Sequence, residues 1–310
     1  MKDRLVTLVG GGGFLGRYVA QALLQAGARV RVAQRDPRQA WFLKTQGGLG
    51  QTQFVAADVT RPETIANAVA GADAVVNLVG AFAGDLTRIH VDGARSIADA
   101  AAKAGAGAVV HISAIGADAA SSSRYGRTKG EGEAAVRTAF PRATILRPST
   151  VFGREDQFVN RFAGMIAKLP AVPVLRPGAK FQPVFVGDVA DATVAALRDP
   201  DAFGGRTFEL GGPEVLTMIA LHRWIAQAIG RCPSLIELPD LAGSVLASLG
   251  FLPGAPLSAD QWKMLQHDSV VADGADGLSA LGVTPTPLGA VAPGWLVRYR
   301  KNGRFADARA

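Results

Sequence analysis

Two groups of residues in this 310-residue chain have types and spacings that can do chemistry. Gly10, Gly13 and Gly16 are spaced G-x-x-G-x-x-G, after an apolar run and before an amphipathic one. Glycines placed there allow a tight turn and let backbone N–H groups approach an anion at the positive end of a helix, so the chemistry is capture of a pyrophosphate. Tyr125 and Lys129 stand four residues apart at the start of a helix expected from Arg124 to Thr138, which puts them on one face. An ammonium beside a phenol lowers its pKa, so the pair can exchange a proton with a carbonyl or hydroxyl. Ser113 is placed to bond the same oxygen. Taken singly, four successive glycines also suit a flexible loop, and a Tyr-x-x-x-Lys also suits a surface pair.

These residues need a scaffold, and the hydrophobic pattern supplies one. Apolar runs suited to buried parallel strands occur at Leu5 to Val9, Ala28 to Ala33, Gln53 to Ala56, Ala74 to Val79, Ala108 to Ile112 and Ala143 to Leu146. Helical stretches alternate with them, among them Leu15 to Gln25 and Ile89 to Lys103, with Gly27, Gly71 and Gly105 at helix ends. Repeated strand–helix–strand units imply a doubly wound parallel α/β sheet of about six or seven strands, the Rossmann arrangement. The glycine loop then sits between the first strand and first helix, where a dinucleotide binds. After Pro148 the rhythm changes: prolines cluster at Pro170, Pro173, Pro177 and Pro183, a helix begins near Asp188, and another strand runs from Thr207 to Leu210. The expected organisation is a nucleotide-binding domain over 1–150 and a smaller mixed substrate or partner lobe over 151–310.

The end of the second strand bears on which dinucleotide binds. An acidic residue there would bond a ribose 2′-OH, but the chain has Gln34 and Arg35, and Arg17 follows the loop. A carboxylate repels a 2′-phosphate and a guanidinium pairs with it, so NADP(H) is preferred over NAD(H). Asp36 lies one residue further on, before Pro37, a context that reads as a cap for the next helix. Asp58 is either a partner of the adenine amino group or a loop cap. Asn77 to Gly80 closes the fourth strand at its carboxyl end, where ligands lie. The cofactor-binding set is therefore Gly10, Gly13, Phe14, Leu15, Gly16, Arg17, Gln34, Arg35, Asp58, Val59, Asn77, Val79, Gly80, Lys129 and Pro148, and the catalytic set is Ser113, Tyr125 and Lys129.

Composition narrows the remaining classes. The single cysteine, Cys232, rules out an intrachain disulfide and a multi-cysteine metal site, so no metal is expected. The formal charge of +7 comes without a basic helix, zinc spacing or aromatic sheet motif, so nucleic acid is not an expected partner. Part of the excess lies at the end, where Arg298, Arg300, Lys301, Arg304 and Arg309 face Asp307 alone. With Trp295, Tyr299 and Phe305 this tail suits an anionic membrane surface or an acidic partner, or is simply solvated. The apolar stretch Leu241 to Leu252 is a candidate patch or an ordinary core helix. The uncharged stretch between Asp240 and Asp260 that contains it, with Gly243, Gly250, Pro253, Gly254 and Pro256, is a poor membrane span, and the expected location is cytoplasmic, with peripheral attachment to the inner side of the respiratory membrane as the variant.

Three segments carry a closer resemblance: the loop running into Phe14-Leu15-Gly16-Arg17-Tyr18-Val19, Ser121-Ser122-Ser123-Arg124-Tyr125, and Arg147-Pro148-Ser149-Thr150-Val151-Phe152-Gly153-Arg154-Glu155-Asp156. With them the chain resembles an extended or atypical short-chain dehydrogenase/reductase, in the branch of the NADPH-containing Rossmann accessory subunit of respiratory complex I and its bacterial homologues. The resemblance weakens beyond about Gly230. It implies a tightly bound cofactor and partnership with complex I. Other relatives imply ubiquinone-linked reduction or sugar-nucleotide epimerisation. Ser113, Tyr125 and Lys129 depart from a purely structural pattern and leave an active NAD(P)-dependent reductase or epimerase/dehydratase as the alternative; Arg35 and the short Ser-to-Tyr interval disfavour a sugar-nucleotide epimerase.

Overall fold

A computed structural model describes residues 1–248, 257–303 and 305. The expected strands form. They are β1 (Leu5–Val9), β2 (Arg29–Gln34), β3 (Thr52–Ala56), β4 (Ala74–Asn77), β5 (Ala108–Ile112) and β6 (Thr144–Pro148), interleaved with α1 (Phe14–Gln25), α2 (Pro62–Val69), α3 (Gly93–Lys103) and α4 (Arg124–Ala139). The strand Thr207–Leu210 completes a seven-stranded sheet beside β6, in the order Thr207–Leu210, β6, β5, β4, β1, β2, β3. Every neighbouring pair in it is parallel. β4 ends two residues before the expected Val79, because the Asn77 Oδ1 accepts the Val79 N–H at 3.0 Å and turns the chain out of the ladder.

The strands are apolar on both faces because helices cover both. Val9, Val75, Val109 and Ile145 pack with Ile65 and Ala68 of α2, Ile97 and Ala101 of α3, and Val136 of α4. The helix Val186–Arg198 lies beside α1 and also packs on β5 and β6. The sheet reverses direction of growth between β1 and β4, which makes the carboxyl ends of those strands the topological switch point.

The chain divides into two compact units. One comprises Met1–Pro148, Val186–Leu210 and Ala272–Thr284; the other comprises the described parts of Ser149–Phe185, Gly211–Val271 and Pro285–Ala310. The chain thus leaves the sheet unit after Pro148 and returns to it twice, first to add a helix and the seventh strand. The second unit holds two-residue and five-residue strand pairs, such as Ala171–Leu175 with Ser234–Leu238. Its core contains Phe152, Val159, Leu221, Ile225, Leu288 and Leu296, with Trp295 and Tyr299 packed against them.

The C-terminal aromatic residues are therefore mostly occupied. Arg298 donates to Asn160 Oδ1 at 2.7 Å and lies over the Tyr299 ring, and Arg300 donates to the Ala228 carbonyl at 3.3 Å. These two arginines fasten the tail to its own unit. Arg304 and Arg309 lie outside the described residues, as does the second part of the stretch Leu241 to Leu252. The helix Asp240–Ser248 turns Gly243 against Trp262 and leaves Leu241 76% and Val245 55% exposed.

Helix α4 has an unusual composition for its length, with Gly126, Gly130 and Gly132 inside it. Each glycine costs about 1 kcal/mol of helix propensity relative to alanine. Packing explains them. A Cβ at Gly130 would collide with the backbone of Asp118 and Ala119, and one at Gly132 with the His90 carbonyl oxygen. We therefore expect Gly132→Ala to lower stability by about 1–3 kcal/mol, the overpacking range, although alanine is the better helix former. Urea unfolding measures this, and a stabilised variant would show that α4 does not need the close approach.

Candidate functional site

The glycine loop takes up the strand-to-helix turn as expected. Gly10 has φ +84°, a left-handed backbone that favours glycine, and its N–H donates to the Ala33 carbonyl at 2.8 Å. A Cβ on Gly16 would strike the backbone of Gly11, so Gly16 is what lets α1 start so close to the loop. Gly13 is the N-cap of α1, with no side-chain cap and no acidic residue in the first turn that follows, Phe14 and Leu15 included. The positive helix end is thus left for an external anion. Two further glycines belong to this device. Gly11 sits against Leu8, and Gly12 beneath the Gln34 amide. The run of four glycines was the signal for them.

Around the end of β2 the side chains are ordered by one another. Gln34 Nε2 donates to the Asp36 carbonyl at 2.7 Å. Asp36 caps the following turn, Pro37–Gln46, accepting the Arg38 N–H at 3.1 Å and pairing with the Arg38 guanidinium at 2.9 Å. The cap expected from Pro37 is what forms. Arg35 is exposed, and the half-buried Arg17 carries its guanidinium 4.8 Å over the Phe42 ring. Asp58 Oδ1 accepts from the Thr60 N–H and hydroxyl at 2.9 and 2.8 Å, which caps the turn. Those bonds, and more weakly Arg35 and Arg61, hold its carboxyl below the usual range. Val59 packs against the α2–α3 core and Gly93. Val79 lies beside Gly10 and Gly80 is exposed, both at the switch point.

On the other side of the switch point, alternate residues of β4 and β5 turn polar toward their carboxyl ends. Val109 is core, His111 and Ser113 are buried polar, and Asn77 on β4 is in register with His111. Asn77 Nδ2 donates to His111 Nδ1 at 2.9 Å, which leaves the imidazole proton on Nε2. The Asn77 side chain is thus engaged inside the protein through both its oxygen and its nitrogen. Burial holds His111 neutral, its pKa well below the ordinary value.

Tyr125 and Lys129 come from one face of α4, whose N-terminus is capped by Ser123 Oγ on the Gly126 N–H. Lys129 is 3% exposed and donates to the Ile112 carbonyl at 2.7 Å. Burial pulls its pKa down to about 8. Tyr125 stacks on Phe82 with centroids 4.6 Å apart and meets His90 edge-on at 5.5 Å. Loss of solvent pushes its phenol up to about 12, so it stands protonated, as a proton donor must. Ser113 is brought to the same strand end, but its hydroxyl donates to Glu133 Oε1 at 2.5 Å, an acceptor that sequence reasoning missed. Pro148 ends β6 and its carbonyl accepts the Ile115 N–H at 3.1 Å.

Residues 6–211 match the model of the NAD dependent epimerase/dehydratase family. The chain belongs to that family. It is 37% identical over 295 residues to the mitochondrial NADH dehydrogenase (ubiquinone) 1 alpha subcomplex subunit 9 of Mus musculus, across 92% of this chain and 77% of that one. It is 31% identical over 261 residues to the Ceramide reductase of Caulobacter vibrioides, across 81% of this chain and 80% of that one. In fold it is similar to the NADPH-dependent quinone oxidoreductase QOR2 of Escherichia coli, with a TM-score of 0.77 at 19% identity, covering 94% of this chain and 99% of that one. The homology to the mouse subunit agrees with the resemblance seen in the sequence, and the family's dinucleotide fits the uncapped helix end and the glycine cradle.

A buried relay missed by the sequence reading holds Tyr125 from behind. His90 Nε2 accepts the Ala81 N–H at 3.0 Å, and its Nδ1–H donates to Thr128 Oγ1 at 2.9 Å. Thr128 in turn donates to the Tyr125 carbonyl at 3.2 Å. This needs a neutral imidazole, and burial first, then Lys129, lowers the His90 pKa to about 4. The unfolded chain binds a proton near pH 6.5 that the folded one refuses until about 4. Stability contributed by His90 is therefore full above pH 6.5 and falls as pH drops toward 4, by about 3 kcal/mol in all at 1.36 kcal/mol per pH unit. Chemical denaturation across that window should show the loss, and His90→Gln, which can keep both bonds, should remove it. An unchanged slope in the variant would assign the acid sensitivity to other groups.

Proposed function

We propose that this chain holds NADP(H) in preference to NAD(H) and serves as an accessory subunit of respiratory complex I with tightly bound nucleotide. The observation that carries the cofactor choice is the end of β2. The carboxylate there, Asp36, is turned onto Arg38, while Arg35 stands exposed and Arg17 is braced on Phe42. A ribose 2′-phosphate brought to this edge meets guanidinium groups instead of an open carboxylate. The loop residues Gly10, Gly13, Phe14, Leu15 and Gly16 would receive the pyrophosphate, with Val79, Gly80 and Pro148 lining the nicotinamide side and Lys129 holding its ribose. The partner reading is supported by the 37% identity with the mouse NADH dehydrogenase subunit. Attachment would be peripheral, on the inner side of the respiratory membrane. Among the described residues no helix is long and apolar enough to cross one.

The second reading is an active NAD(P)-dependent reductase of a carbonyl or quinone-related substrate. It is favoured by Tyr125 and Lys129 lying one turn apart on α4, the phenol protonated and the ammonium buried against the Ile112 carbonyl. The bound nicotinamide would supply the hydride. Tyr125 would give the proton, Lys129 would stabilise the phenolate left behind, and Ser113 would be restricted to accepting, since its proton goes to Glu133.

Three measurements decide between these. The nucleotide that copurifies should be NADP(H), and Arg35→Asp should weaken it by about 1–3 kcal/mol while sparing NAD(H); equal affinities in the unmodified protein overturn the choice. The protein should comigrate with membranes or with complex I in lysates, and loss of that association at high salt would mark it as electrostatic. Full recovery in the soluble fraction at low salt leaves the reductase reading in the lead. Carbonyl reduction by the purified protein that Tyr125→Phe abolishes, with nucleotide binding kept, would establish that reading.

A further inference from the structure

Helix α4 carries a third ionisable residue at the spacing of Tyr125 and Lys129. Glu133 is 1% exposed, and its partners are all donors. Oε1 accepts from Ser113 Oγ at 2.5 Å and from Arg147 Nε at 2.9 Å. Oε2 accepts from Arg147 Nη2 at 2.8 Å and lies 3.6 Å from Arg137. Arg147, on β6, also reaches Glu209 at 3.4 Å, and Arg137 donates to Thr207 Oγ1 at 2.5 Å. The carboxylate is thus held by one guanidinium through both oxygens and by a hydroxyl, with a second guanidinium 3.6 Å away, a donor set suited to negative charge.

A buried ion pair is weak evidence for stability, so its charge needs another reason. One turn along α4 lies Lys129, bonded to the uncharged Ile112 carbonyl. Of the ionisable groups near it, Tyr125 on α4, His90 on the turn before α3 and His111 on β5 are neutral, and Arg137 and Arg147 are positive, with Glu209 paired to Arg147. Glu133 is the carboxylate one turn from Lys129. We propose that Glu133 is a positioning residue of the nucleotide site: pinned by Arg147, it keeps Lys129 positively charged at neutral pH and fixes the Ser113 hydroxyl. Burial favours the neutral amine, and Glu133 opposes it. The inference rests on Lys129 serving the nucleotide, as proposed above.

The test reads the lysine directly. The full chain has eight lysines, so ¹³Cε-labelled lysine gives a resolvable NMR titration, with Lys129→Met identifying the signal. In the unmodified protein Lys129 should titrate near pH 8. In Glu133→Gln, which keeps the shape and removes the charge, the midpoint should fall by about one pH unit or more. The pH above which NADPH affinity declines should fall with it. Arg147→Gln should move the midpoint the other way, because the carboxylate loses its main counter-charge. Ser113→Ala, which leaves the charge in place, should not move it. If Glu133→Gln does not fold, the upward shift in Arg147→Gln decides alone, and its absence overturns the proposal. A shift in Ser113→Ala as large as that in Glu133→Gln also overturns it. A protein that binds no NADPH at all would defeat the cofactor reading, while the Lys129 titration would still decide this one.

Discussion

A lysine ammonium buried at the carboxyl end of β5 is the constraint around which the site is organised. Removing an ammonium from water costs several kcal/mol unless it is hydrogen-bonded and balanced. Lys129 meets that condition by reaching the Ile112 carbonyl at 2.7 Å, which requires α4 to lie very close to the strand end and its loops. Gly126, Gly130 and Gly132 are the residues that permit the approach, at a cost in helix propensity. Once α4 is there, Tyr125 is held at the same edge, backed by Thr128 and a His90 that must stay neutral to make its two bonds.

The parallel sheet then brings distant residues to one edge. Every strand of it ends on the same side, so the glycine loop after β1, the turn after β2, Val79–Gly80 after β4 and Ser113 after β5 share that edge. The switch point between β1 and β4 lies between the glycine-loop side and the Tyr125 side. Asn77 joins the two sides. Its oxygen sets the Val79 N–H and its nitrogen sets His111, so one amide shapes the end of β4 and orders the buried imidazole on the neighbouring strand.

Charge is handled differently at the two ends of the site. At the end of β2 the carboxylate is turned aside and the guanidinium groups are at or near the surface, which suits an incoming polyanion. Along α4 the buried Glu133 carboxylate is matched within the protein by the partly exposed Arg147 and Arg137. In the proposed function the first arrangement would select the ligand and the second would fix the groups that face it. The C-terminal basic residues belong to neither: Arg298 and Arg300 bond the tail to the rest of its own unit through neutral oxygens.

Much of this was legible in the chain itself, because the forces concerned are local. Apolar runs, glycine punctuation and strand–helix alternation marked six strands of the sheet. A turn needing positive φ between β1 and α1 marked Gly10, and Pro37 after Asp36 marked a cap. The four-residue spacing put Tyr125 and Lys129 on one face before any coordinates. What the sequence left undetermined were the partners of the buried polar groups. Ser113 meets Glu133 20 residues away, His90 meets Thr128 38 away, and Arg147 meets Glu209 62 away. A hydroxyl or carboxylate is compatible with many partners, and which one it finds depends on which strand lies next to which. Strand order is set by the packing of the whole sheet, not by any local segment, so only the tertiary structure could choose Glu133 as the residue beneath the site.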